Sequence, residues 1–87
     1  MTPLAPTVPL VHLHRLYEQF EAAMAAYDED DIYTRMMGIA AYSEIMGALS
    51  AYRSIQAIRF QTYNEWWNKI YNLWVSRSEN RPVEVSA

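Results

Sequence analysis

Two histidines, four consecutive acidic residues and a few scattered arginines are the groups in this chain that could do chemistry. His12 and His14 suggest a metal site. Two residues apart on a helix, however, they point to different faces and cannot hold one ion together. His14 and Glu18 are four apart and could, but two ligands without further convergent groups do not make a metal site. Asp28, Glu29, Asp30 and Asp31 suggest a calcium loop, which requires glycine at its sixth position and glutamate at its twelfth. Counted from Asp28, those positions hold Tyr33 and Ile39. The calcium reading fails, and capping of adjacent helix ends is the better use of these carboxylates.

Catalysis has little to draw on. There is no cysteine, so thiolate nucleophiles, thiolate metal sites and disulfides are excluded. No GxSxG or HExxH occurs, and two isolated glycines cannot build a phosphate-cradling loop. Glu18 and Glu21 share a helical face, a spacing that usually gives a solvated surface. The expectation is a protein that is not an enzyme and has no cofactor or metal.

The aromatic residues carry the stronger signal. At 100° per residue, Ile55, Phe60, Tyr63, Trp66, Trp67, Ile70, Tyr71, Leu73 and Trp74 fall on one arc of about 160°. Gln61, Asn64, Glu65, Asn68, Lys69 and Asn72 take the opposite side, with Ile58 out of place among them. Six aromatics on one arc represent roughly 1,000 Å² that is not left in water. The arc is therefore core, or a partner interface through Phe60, Tyr63, Trp66, Trp67, Ile70, Tyr71 and Trp74, where tryptophan and tyrosine are typical binding anchors. Arg53, Gln56 and Arg59 interrupt the apolar pattern. They are read as a polar seam able to fix register, with Arg59 laying its stem along the aromatics.

The elements that must position these groups are helical. Pro3, Pro6 and Pro9 precede the first apolar period, so residues 1–8 read as an extended proline-rich leader rather than a signal peptide. Leu10, Leu13, Tyr17, Phe20, Met24 and Tyr27 then repeat at three and four, giving a helix at about 9–27. From Ile32 one heptad position reads Ile32, Ile39, Met46, Arg53, Phe60, Trp67, Trp74, and its partner reads Arg35, Tyr42, Leu49, Gln56, Tyr63, Ile70, Arg77. The phase is unbroken, and no proline, asparagine or aspartate lies between Ile32 and Tyr63.

The fold class is therefore all-α, with two competing forms in one helical domain over 9–77. Residues 32–76 make one coiled-coil-like helix that folds back on helix 1 as a hairpin and oligomerises. Otherwise the chain turns near 49–53 and closes a compact three-helix bundle, with helices at about 32–49 and 51–76. The unbroken phase favours the long helix by a thin margin. Residues 78–87 lack periodicity and read as a flexible tail.

Eighty-seven residues bound the chain to one small domain, and 52% hydrophobic residues exclude wholesale disorder. Net charge is −3: residues 1–50 carry two basic and seven acidic side chains, net −5, and the remainder five basic and three acidic, net +2. That balance argues against nucleic acid, although Arg53, Arg59, Lys69 and Arg77 lie among possible stacking rings. Arg15, Glu18, Arg35, Glu44, Arg53 and Arg59 interrupt every apolar stretch, so no transmembrane segment is expected. The functional expectation is a cytoplasmic, non-enzymatic interaction module with protein partners, a homo-oligomer such as a homodimer or a subunit of a larger assembly. The alternative is a small regulatory or inhibitory protein that blocks a host protein.

Overall fold

A computed structural model describes residues 7–78, which form three helices in an up–down–up order: α1 Thr7–Ala25, α2 Ile32–Ser54 and α3 Phe60–Ser78. The all-α expectation holds. Of its two forms, the three-helix bundle is the one observed, and the continuous 32–76 helix is corrected by a turn at residues 55–59; the turn expected near 49–53 also falls later, so that α2 runs on to Ser54 and α3 begins at Phe60 rather than near 51. Of the expected leader, residues 1–6 lie outside the described residues, while Thr7 and Val8 already belong to α1. Past Ser78 the expected tail also lies outside them.

The acidic loop explains where α2 starts. Asp31 is its N-cap and accepts from the backbone N–H groups of Tyr33 (2.9 Å) and Thr34 (3.4 Å). Asp28 Oδ1 accepts from the Asp30 N–H at 3.0 Å, and Thr34 Oγ1 accepts from the Asp28 N–H at 3.0 Å. The Asp31 carboxylate satisfies donors that a helix start leaves unpaired, and Asp28 ties the loop that precedes it. The last turn of α1 is tied down from α3, where Arg77 Nε donates to the Met24 carbonyl at 2.9 Å.

The second turn is a Schellman-type stop. The Gln56 N–H donates to the Arg53 carbonyl (3.0 Å) and the Ala57 N–H to the Tyr52 carbonyl (2.8 Å). Gln56 has φ 59°, the left-handed position that glycine usually fills at such an end. Without a glycine, proline or asparagine the turn leaves no compositional trace. It also spans the interval between Arg53 and Phe60, so the seven-residue spacing continues through it unbroken.

The core is Leu13, Leu16, Phe20 and Met24 of α1, Ile45 and Leu49 of α2, Ile58 of the turn, and Trp66 and Ile70 of α3. Two of these depart from the sequence reading. Leu16 lay off the expected α1 seam, and Ile58 was placed on the polar side of a helix. Ile58 belongs to no helix: it plugs the lower end of the core, held by Arg53 Nη1 donating to its carbonyl at 3.1 Å. Gly38 is buried where α1 ends against α2, and a Cβ there would meet Tyr27 Cδ2 at 2.9 Å. The glycine permits that close approach.

Candidate functional site

Closing the bundle divides the aromatic arc of α3. Its inner edge faces α1 and the core: Ile70 is fully buried and Trp66 is 8% exposed. Trp66 takes the His14 ring edge-on at 4.9 Å and the Tyr17 ring at 5.9 Å. Lys69 Nζ lies 4.4 Å from the Tyr17 ring centroid and 4.9 Å from that of Trp66. Trp74 stacks on Tyr42 of α2 at 4.7 Å, and Tyr63 and Leu73 also pack on the core.

The outer edge is only partly covered. Phe60 is 60% exposed, Trp67 37% and Tyr71 40%. Trp67 and Tyr71, one turn apart, stack at 4.9 Å with 19° between their planes. Phe60 stacks on Tyr63 at 6.4 Å. The rings thus stand preformed, as two ordered pairs along one stripe. Of the seven expected contact residues, Phe60, Trp67 and Tyr71 reach the surface, Tyr63 and Trp74 are half-buried, and Trp66 and Ile70 belong to the core.

The neighbour of this stripe is α2. Tyr71 and burial together raise the Tyr42 hydroxyl above its ordinary range, burial being the larger cause. Arg53 lies over the Phe60 ring at 5.6 Å. The heptad set that suggested one long helix, Ile32 through Trp74, therefore runs down α2 and back up α3. It borders their shared outer face, where Ile32 and Ile39 are exposed and Met46 is half-buried.

The polar seam residues separate as well. Arg53 holds the turn through Ile58 and covers Phe60, and Gln56 supplies the left-handed residue of the helix stop. Arg59 precedes α3, and its carbonyl accepts from the Tyr63 N–H at 2.9 Å. Its exposed side chain borders an open cleft of about 530 Å³ with Leu10, Arg53, Gln56, Ile58 and Thr62. The expected packing of Arg59 along the arc is made instead by Arg53.

The histidines serve packing. His12 Nδ1 and the Tyr52 hydroxyl are hydrogen-bonded at 2.6 Å, and His14 rests on Trp66. Burial, then the Glu21 carboxylate, raises the Tyr17 hydroxyl above its ordinary range. Among the described residues, no group of three or more histidine, aspartate or glutamate side chains could hold a metal. None of the described helices is long and apolar enough to cross a membrane. Comparison with protein families, curated proteins and solved structures finds no match to this chain.

Proposed function

We propose that this protein is a non-enzymatic helical contact module whose α2–α3 face seats another protein. The observation that carries this reading is the ordered Trp67–Tyr71 stack, left at the surface with Phe60 after the bundle has closed. Preformed rings lose little side-chain freedom on binding, and tryptophan and tyrosine dominate interface hot spots. A second copy is no longer needed to cover Trp66 and Ile70, because α1 and α2 cover them. What still requires an occupant is the outer stripe. Of the four basic residues that would suit a nucleic-acid surface, Arg53 and Arg77 bond to backbone carbonyls and Lys69 lies over rings of the bundle, which weighs against that class.

The test is photo-crosslinking in cells with a reactive residue at position 67, compared with position 72 on the polar side of α3. A discrete protein adduct at 67 and none at 72 is expected. Equal labelling at both positions, or none at 67, would overturn the reading.

A further inference from the structure

Helix α2 is uneven along its outer side. Ile32, Met36, Ile39, Ser43, Gly47 and Ser50 all fall within about 80° of its circumference, beside the aromatic stripe of α3, and all are exposed. In the first half the side chains are large and apolar: Ile32 is 69% exposed, Met36 62% and Ile39 48%. In the second half they are small, and a Cβ on Gly47 would meet nothing within 4 Å. The bundle's own packing does not require a glycine there. Charge is divided the same way. Residues 28–35 carry four acidic side chains and one basic, net −3, whereas residues 53–59 carry two basic and none acidic, net +2. Each half of α2 offers what the other lacks.

We infer, resting on the contact reading above, that the occupant of the face is a second copy of this chain, laid antiparallel with α2 against α2 about a two-fold axis crossing near Ser43. Residues equidistant from Ser43 then meet, so Ile39 lies over Gly47 of the second copy and Met36 over its Ser50. Large side chains settle over small ones in both halves, and the two backbones approach closely. The same axis lays the acidic end of each copy across the Arg53–Arg59 end of the other. Arg35 comes near Arg53 of the second copy, but the four carboxylates within two turns of Arg35 outnumber the two guanidinium groups. Glu44, 100° round α2 from Ser43, approaches its own mate only at the exposed rim, where solvent and salt screen the repulsion. A parallel pairing would set like charges together at both ends. Trp74 stacks on Tyr42 at 4.7 Å, which puts residues 71–74 of α3 level with the axis. The two Trp67–Tyr71 stacks therefore fall on the same side of the α2 pair and face each other across it. A face about 30 Å long and two helices wide buries roughly 600 Å² per copy, at the lower end of stable interfaces, so the copies separate on dilution.

The chain has no cysteine, so single cysteines report this geometry directly. Ser43→Cys lies at the axis and should form a disulfide-linked dimer under mild oxidation. Ser50→Cys should not link to itself, because the two copies of that position stand about 21 Å apart along the helices, beyond disulfide reach. Mixed with Met36→Cys, it should give the mixed dimer. Gly47→Gln has room in the bundle and should leave circular dichroism unchanged, while raising the dimer dissociation constant about tenfold or more by sedimentation equilibrium. Efficient self-linking at both 43 and 50 would overturn the antiparallel arrangement. No linking at 43, a dissociation constant unmoved by Gly47→Gln, or an unsubstituted chain still monomeric at millimolar concentration would overturn the second copy as occupant. A crosslink from position 67 to a protein of different mass would then leave the contact reading standing, and no crosslink there would remove both.

Discussion

Trp66 and Trp67 are neighbours in sequence, yet they live in different environments. Trp66 is enclosed by His14, Tyr17 and Lys69, while Trp67 stacks on Tyr71 at the surface. One hundred degrees of helix separates a residue that holds the bundle together from one that does not. An apolar arc is therefore not one functional unit, because what the neighbouring helices cover decides each residue's role. The same division runs through α2, where Gly38 is pressed against α1 and Gly47 has nothing within 4 Å of an added Cβ.

Truncation should expose the division most strongly. Trp66→Ala should cost about 3–5 kcal/mol, and Ile70→Ala about 2–5 kcal/mol, by urea unfolding. Trp67→Ala should cost no more than about 1 kcal/mol by the same measurement. Equal losses at positions 66 and 67 would break the comparison.

On α2 the expected effects are smaller and opposite in sign. Gly38→Ala should destabilise by roughly 1–2 kcal/mol, since its Cβ would press on the Tyr27 ring. Gly47→Ala should stabilise by up to about 1 kcal/mol through helix propensity alone. Thermal melting of the two variants checks both signs.

The turn that brings the two edges together offers a sharper probe. Gln56→Gly should stabilise by about 1 kcal/mol, because glycine accepts the left-handed backbone that glutamine holds at a cost. A loss of stability would place the observed turn in doubt. The smallest effect concerns pH. Tyr17 and Tyr42 are raised above 10.0 chiefly by burial, so the folded state binds their protons more tightly than the unfolded chain. Their stabilising contribution is complete below about pH 10 and is lost as pH rises through the folded-state values. A melting temperature that stays level to pH 10 and then declines is expected.

Much of this fold was legible because it rests on local rules. The apolar period of α1 located Leu13, Phe20 and Met24, and the acidic run marked the α1–α2 connection through its capping groups. The second connection was hidden, since its left-handed residue is Gln56 and its spacing keeps the heptad in phase. Leu16 and Ile58 were missed for related reasons: the buried face of α1 is wider than a strict seam, and Ile58 is turn rather than helix. On α3 the arc was visible as an arc. Its division into covered and partly covered edges was not, because that depends on where α1 and α2 come to rest.

The most direct test of the central claim is the equilibrium unfolding free energy of the Trp67→Ser, Tyr71→Ser double variant. If the outer stripe exists for contact, stability should stay within about 1 kcal/mol of the parent. A loss of several kcal/mol, on the scale of a core truncation, would make these rings part of the fold's own support and contradict the account.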